Sequence, residues 1–225
     1  MKAPDGNKLA ILQALNTGGF ISGQQLGEQL GISRAAVGKH IHSLQEMGLD
    51  IFKVTGKGYC LNNSAGLLNK EKIGLHYNEL GGSTANVEVQ PIIDSTNSEL
   101  MRRLQTEVSL PSGSVLVAEM QQAGRGRRGR VWQSPFGANL YFSYFWRLDD
   151  GLQAAMGVSI AVGLAVYDTL KALYQLDVEL KWPNDIYLNR EKLAGVLVEL
   201  DGQPQGPCQL VIGIGINLHM PESVS

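Results

Sequence analysis

The sequence predicts an α+β protein in two parts, a winged helix-turn-helix over residues 1–63 and a mixed-sheet domain over 64–225. Three observations carry this. The first sixty residues hold three helical patterns followed by two short strand-like runs. Branched, apolar runs at 87–93, 114–120, 139–146, 192–200 and 209–218 then alternate with helical stretches. Between two of those runs lies a segment, EMQQAGRGRRGRVW (119–132), that suits neither strand nor helix interior, because its glycines cost about 1 kcal/mol each there relative to alanine. A loop offering guanidinium forks and backbone N–H groups together is suited to a carboxylate or a phosphate.

Whole-chain properties set the limits. The 225 residues carry 19 Lys/Arg and 21 Asp/Glu, a formal charge of −2 that excludes a wholly basic nucleic-acid protein but not a local basic site. Residues 1–63 hold six Lys/Arg against four Asp/Glu, and the remainder thirteen against seventeen, so the small positive excess lies at the N-terminal end. Two cysteines, Cys60 and Cys208, make no disulfide framework and point to a thiol-tolerant, cytoplasmic setting. No stretch approaches the roughly eighteen uncharged apolar residues of a membrane span, and no membrane partner is expected. None of the four histidines stands at a metal-site spacing from a cysteine or an acid, so no structural metal is expected. The chain ends GIGINLHMPESVS, soon after a buried-looking strand, and reads as a fragment.

In the first part, Leu9, Ile11, Leu12 and Leu15 form one apolar helical face, ended by Thr17–Gly19. Ser22 with Gln25 has the spacing of a capping box for a second helix. Gly31 breaks that helix, and Ser33 can cap a third over 34–47, with Val37, Ile41 and Leu44 inward. A short helix, a tight turn and a longer helix are the parts of a helix-turn-helix. Residues 50–61 then read as a hairpin wing that carries Lys53 and Lys57. Ser22, Ser33, Arg34, Lys39, His40, Lys53 and Lys57 are the candidate DNA contacts. The plainer alternative is a three-helix packing module without DNA, and His40 and His42 read as surface or structural groups. The polar cluster at 62–66 marks the domain boundary, and a short helix over 69–75 opens the second domain.

In the second part, Asp94–Asn97 (DSTN) follows a strand and precedes a helix over 98–105. It reads equally as an ordinary helix cap or as a ligand site at a strand end. A long apolar helix over 153–173, with Val158, Val162, Val166 and Leu170 along one side, should lie buried against the sheet. KWPND (181–185) places Lys181, Asn184 and Asp185 in an apolar setting, where polar groups need partners or a ligand. Lys192 enters a strand, and Gly213 and Gly215 interrupt another, a sign of close approach by a ligand or by backbone. Neither GIGIN nor GRGRRG has the context of a dinucleotide fingerprint or a Walker loop. Many cations, several carboxamides and no nucleophile triad suit charge stabilisation, as adenylyl transfer requires.

In this order, the helix-turn-helix, DSTN, QQAGRGRRGRVW, SPFGANL, KWPND, KLAGVLVE and GIGIN resemble the bifunctional biotin–protein ligase and biotin-operon repressor family over essentially the whole chain. The lipoate ligases resemble it in fold but lack these combined motifs. The resemblance implies a biotin/lipoate-ligase-like catalytic domain, stopping short of its end and of a C-terminal SH3-like barrel. It implies ATP and Mg²⁺ as cofactors, biotin as substrate and biotinyl-5′-AMP as intermediate, with transfer to a lysine of a biotin carboxyl carrier protein. It also implies operator DNA as a partner of a homodimer that forms when biotinyl-AMP is bound. The biotin contacts it implies are Ser95, Thr96, Asn97, Gln121, Gly124, Arg125, Lys192, Gly195 and Gly213. Arg130, Trp132, Asn184 and Asn217 are implied adenylate contacts. Lys192, Arg125, Arg127, Arg130 and Asn184 are implied catalytic groups, and Arg127 and Arg128 implied dimer contacts. A biotin-sensing DNA-binding regulator without catalysis is the competing reading, and electrostatic nucleic-acid binding by GRGRRGR a plainer one.

Overall fold

The computed structural model describes residues 6–62, 67–80, 87–106, 110–149, 155, 157–202 and 206–218. Its first part is α1 (Gly6–Asn16), α2 (Gly23–Leu30), α3 (Arg34–Glu46), β1 (Ile51–Val54) and β2 (Gly58–Leu61). The capping box forms as its spacing implies: Gln25 N donates to Ser22 Oγ at 3.1 Å, and Ser22 N to Gln25 Oε1 at 3.0 Å. Gly31 ends α2 in the left-handed region, and Ser33 Oγ caps α3 by accepting from Ala36 N. Ile11, Leu12, Leu15, Leu26, Val37, Ile41 and Leu44 make the buried centre. Ile21 joins the wing through an isolated bridge, exchanging two backbone hydrogen bonds with Tyr59. Gly58 permits this: at φ +112° it leaves no room for a Cβ, which would lie 2.3 Å from the Ile21 carbonyl oxygen. The expected boundary near 62–66 falls largely on 63–66, outside the described residues.

The second part opens with α4 (Lys70–Glu79), capped by Asn69 and longer than the expected 69–75. It continues through β3 (Val87–Gln90), α5 (Thr96–Gln105), β4 (Val115–Ala118) and β5 (Leu140–Leu148) to α6 (Val158–Tyr174). β6 (Glu179–Lys181), β7 (Asp185–Leu188), β8 (Glu191–Gly202) and β9 (Cys208–Ile216) complete it. The strands make one seven-stranded sheet in the order β3-β4-β5-β9-β8-β7-β6. β3 and β4 run parallel and every other pair antiparallel, so the sheet is mixed, as expected, and it remains open. Alternate residues face opposite sides. Leu116, Phe145 and Val211 meet Leu100 of α5, while Val196, Leu210 and Ile212 meet Val158 and Val162 of α6. The two helices therefore cover opposite faces.

Several expected boundaries move. The strand expected over 87–93 ends at Gln90, because Pro91 has no N–H to continue the ladder; only an isolated bridge from Ile93 to Gln121 follows. The strand expected over 114–120 narrows to β4, and the helix expected from 98 begins at Thr96 with Ser95 as its cap. The apolar helix expected over 153–173 is described from Val158, and its burial is one-sided. Gly163 and Leu170 are buried, but Ile160, Leu164, Leu173 and Tyr174 stay exposed, since the sheet covers only one flank.

An ionic cluster fastens α5 to the sheet edge. Arg103 makes two hydrogen bonds to Glu88 on β3, and Arg102 two to Asp94. The guanidinium of Arg103 holds Glu88, and that of Arg102 holds Asp94, below the usual carboxylate range.

Two outcomes follow for stability. Gly58→Ala introduces strain and a backbone clash, and should cost well over about 1 kcal/mol in urea denaturation. Gly56→Ala, at φ +81° with open space around it, should cost less. Because Glu88 and Asp94 have lowered folded pKa values, their contribution is complete above the unfolded values, about 4, and is lost as pH falls through the folded ones. Arg103→Gln should therefore lower stability near neutrality, with the gap to the parent closing in acid.

Candidate functional site

A cavity of about 490 Å³ opens on the α5 face of the sheet. Its floor is the central pair β8 and β9, where Gly195 lies opposite Gly215 and Leu197 opposite Gly213. One wall is the start of α5, another the arginine-rich loop, and a third the turn Trp182–Asp185, which contains a cis Trp182–Pro183 bond.

The α5 wall is a closed polar network. Ser95 Oγ accepts from Ser98 N, so the residue is a helix cap, and Ser95, Thr96 and Asn97 are all buried. Thr96 donates to Gln121 Oε1 from its N at 2.9 Å and from its Oγ1 at 3.1 Å. Gln121 Nε2 passes the chain on to Ser134 Oγ at 3.1 Å. The Ser143 hydroxyl of β5 lies within hydrogen-bonding distance of Thr96 Oγ1 and Asn97 Oδ1 and donates to one at a time. Buried polar groups so matched hold their geometry before any ligand arrives.

Three of the cavity's cations are also matched. Arg125 Nη2 stands 2.7 Å from Glu199 Oε2, which accepts from Asn97 Nδ2 at 2.8 Å as well. Lys192 Nζ stands 2.7 Å from Asp185 Oδ1. Arg127 donates to Asn184 Oδ1 at 2.7 Å, and Asn184 Nδ2 in turn donates to the Val196 carbonyl of β8. The loop is thus tied to β8 through Arg125 and to the 182–184 turn through Arg127. It contains a single 3-10 turn, Arg127–Gly129, with Arg128 at φ 57°.

Trp132 closes the loop by lying on the glycine floor. A Cβ on Gly215 would come within 2.5 Å of its indole, and one on Gly195 within 2.9 Å. Lys192 Nζ lies 5.2 Å from the Trp132 ring centre, and the indole Nε1 is buried without a hydrogen-bond partner among the described residues. Gly213 likewise makes room for Asn97, whose Oδ1 would be 2.3 Å from a Cβ there. The close approach signalled by these glycines is made by the protein's own side chains.

The cavity gathers Ser95, Thr96, Asn97, Gln121, Arg125, Arg127, Arg130, Trp132, Asn184, Lys192, Gly195 and Gly213 from the sequence-derived candidates. Two candidates stand outside its lining. Gly124 packs under Trp132 and Ser134, where a Cβ would clash with the Trp132 carbonyl oxygen. Asn217 Nδ2 donates to the Lys192 carbonyl at 2.9 Å and so anchors the start of β8. Sequence reasoning did not select Asp185, Glu199 or Ser143 as site groups. Glu199 had a signal, since it shares with Gly195 and Leu197 the side of β8 that faces the cavity.

On the helical part, Ser22 and Ser33 spend their hydroxyl oxygens on capping. Lys39 is exposed and His40 half-buried. Lys53 Nζ lies 5.8 Å from the Tyr59 ring centre, and Lys57 Nζ 5.6 Å from that of Phe20, which meets Phe52 edge-on. Arg34 and Tyr59 together flank Gly23 at the start of α2, so the start of α3 and the wing adjoin. Among the described residues no helix is long and apolar enough to cross a membrane.

Residues 89–217 match the biotin/lipoate A/B protein ligase family, and residues 7–60 match an HTH domain. The chain is 50% identical over 212 residues to the bifunctional ligase/repressor BirA of Escherichia coli (strain K12), a match that takes in 94% of this chain and 64% of that relative. It therefore spans less than two thirds of that protein's length. Among solved structures it is similar to the biotin protein ligase from Aquifex aeolicus in complex with biotin and ATP, with a TM-score of 0.50 and 34% identity over 62% of this chain and 56% of that one. It is similar also to the biotin acetyl coenzyme A carboxylase synthetase from Helicobacter pylori with bound biotinylated ATP, with a TM-score of 0.51 and 28% identity over 64% and 65%. The family match over residues 89–217, the HTH match in front of it and the 50% identity to a bifunctional ligase/repressor together show that the chain belongs to the biotin/lipoate A/B protein ligase family, in the BirA-like branch that joins a ligase domain to an N-terminal helix-turn-helix.

Proposed function

We propose that the cavity makes biotinyl-5′-AMP from biotin and ATP, and that the same chain carries biotin to a lysine of a biotin carboxyl carrier protein. The observation that supports this most directly is the convergence of Lys192, Arg125 and the Thr96–Gln121 network on one cavity, in a chain half identical to a bifunctional ligase/repressor.

The chemistry fits the groups. A biotin carboxylate oxygen attacks the α-phosphorus of ATP, the bond to pyrophosphate breaks, and a mixed anhydride forms. Two anions must approach one another, so positive charge between them lowers the barrier. Lys192 and Arg125 supply it, with Arg127 and Arg130 on the side of the loop and Asn184 beside them. Ser95, Thr96, Asn97, Gln121 and the Gly195 and Gly213 floor shape the biotin end, with Trp132 between it and the nucleotide. The carrier amine then attacks the acyl carbon and AMP departs.

ATP brings the need for Mg²⁺, which neutralises charge on the leaving pyrophosphate. Among the described residues no group of three or more His, Cys, Asp or Glu side chains stands ready as a metal cage. A nucleotide-borne Mg²⁺ asks for only one or two carboxylates beside the phosphates. Asp185 is the carboxylate of the cavity lining that suits that role.

Residues 1–63 form the DNA-binding half of this reading, with Arg34, Lys39, Lys53 and Lys57 toward phosphates or base edges of an operator, and Ser22, Ser33 and His40 beside them. A homodimer formed with biotinyl-AMP bound presents two such modules to two half-sites. The compartment that suits these partners is the cytoplasm.

Incubation with biotin and radiolabelled ATP should give labelled biotinyl-AMP, and Lys192→Ala should slow its single-turnover formation by about a hundredfold or more. An unchanged rate would remove Lys192 from the chemistry. Calorimetric biotin binding with no ATP-dependent product would instead favour a biotin-sensing regulator without catalysis. Tighter binding of lipoate than of biotin would overturn the assignment of substrate.

A further inference from the structure

Four oxygens stand in a row along the α5 wall: Gln121 Oε1, Thr96 Oγ1, Ser143 Oγ and Asn97 Oδ1. Their successive separations are 3.1, 2.7 and 2.5 Å. The two ends can only accept. Gln121 Oε1 is fixed as the oxygen of its carboxamide because it faces the Thr96 backbone N–H, which can only donate. Asn97 is fixed by its other end, where Nδ2 donates to the Glu199 carboxylate at 2.8 Å and to the Leu197 carbonyl at 3.4 Å. The two middle oxygens are hydroxyls with one hydrogen each, so three gaps share two hydrogens. If Thr96 donates to Gln121, Ser143 can serve Thr96 or Asn97 but not both. If Thr96 donates to Ser143, the gap to Gln121 is empty. The row is one hydrogen short in every arrangement. Ser143 is fully buried on β5, opposite Gly213 of β9, whereas Thr96, Asn97 and Gln121 line the cavity.

We infer that Ser143 is a positioning residue that keeps this row one hydrogen short, and that the α5 wall thereby selects a ligand presenting a ring N–H. The inference rests on the biotin reading given above and adds to it the group that sets the requirement. An N–H from the ligand supplies the missing hydrogen, and the two hydroxyls turn to suit it. The ring urea of biotin carries such N–H groups, and the dithiolane of lipoate has none. A ligand atom that can only accept, placed there, leaves lone pair facing lone pair in a desolvated wall, which costs more than a hydrogen bond gains. Ser143 does not line the cavity, so it acts through Thr96 and Asn97. Without its hydroxyl the shortage disappears. Thr96 and Gln121 then match one hydrogen to one gap, and the vacated space admits a water that donates to Asn97.

Calorimetry on the whole chain tests this with biotin and its two cyclic carbamates, in which a ring oxygen replaces one or the other N–H. In the parent, at least one carbamate should bind about tenfold or more weaker than biotin, since it loses a bond and leaves a buried acceptor unpaired. In Ser143→Ala that ratio should fall below about threefold, because water has taken over the donation. A general loss of stability would not produce this change in selectivity. Equal binding of biotin and both carbamates by the parent, or an undiminished ratio in Ser143→Ala, would overturn the inference. If biotin does not bind at all, the ligase reading fails, and a smaller pair of probes decides the inference alone. The lactam 2-pyrrolidinone and the lactone γ-butyrolactone share one ring size, with N–H in the first where the second has oxygen. Titrated by NMR at the Thr96 and Asn97 amides, the lactam should bind several-fold tighter than the lactone to the parent, and no tighter to Ser143→Ala. A lactone that binds the parent as tightly as the lactam would end the inference whatever biotin does.

Discussion

A guanidinium and an ammonium group drawn into a half-covered cleft must be compensated, and this requirement shapes the candidate site. Arg125 has Glu199, and Lys192 has Asp185, each at 2.7 Å. Both cations are more than a third exposed, so each pair contributes only about 1 kcal/mol or less and can change partners at small cost. An anionic ligand at Arg125 or Lys192 would therefore not meet a bare cation. It exchanges with carboxylates already in place, and the net gain is the difference between two charge-assisted contacts. Glu199 also accepts from Asn97, so this exchange reaches the buried network at the start of α5.

The sheet makes the arrangement possible. β8 carries Lys192 near its start and Glu199 near its end, while the turn into β7 returns Asp185 opposite Gly195. Gly195 and Gly215, facing each other across β8 and β9, give Trp132 a flat seat and so close the arginine loop over the floor. The indole lines the cavity, and its N–H has no partner among the described residues.

Much of this was legible in the chain. The helix-turn-helix rests on local signals: the Ser22–Gln25 box, Gly31 and the Ser33 cap each act within a few residues, where sequence reasoning is strongest. The arginine loop was recognisable by composition, and Lys192 as a cation entering an apolar strand. The ion-pair partners were not, because they depend on register. A bulge between Ile186 and Tyr187 shifts β7 against β8, and no local pattern shows which carboxylate then faces Lys192. Gly213 and Gly215 were read as marks of close approach by a ligand or by backbone; the approach is real, but it is made by the Asn97 and Trp132 side chains, which only tertiary packing decides. Asn217 looked like a ligand group and is committed to the Lys192 carbonyl, a contact between residues twenty-five positions apart. The long apolar helix was expected to be buried by its composition, yet the sheet accepts only one of its flanks.

The helical domain and the ligase domain share a packed boundary through Ile92, Met120 and Phe136, so neither is a mere appendage of the other. The account stands on partner exchange at Arg125 and Lys192. A crystal structure of the chain with biotin tests it most directly. The expected result has the biotin carboxylate bonded to Lys192 or Arg125, with Asp185 or Glu199 moved off its cation. Biotin bound with its carboxylate touching neither group, and both internal ion pairs intact, would contradict it.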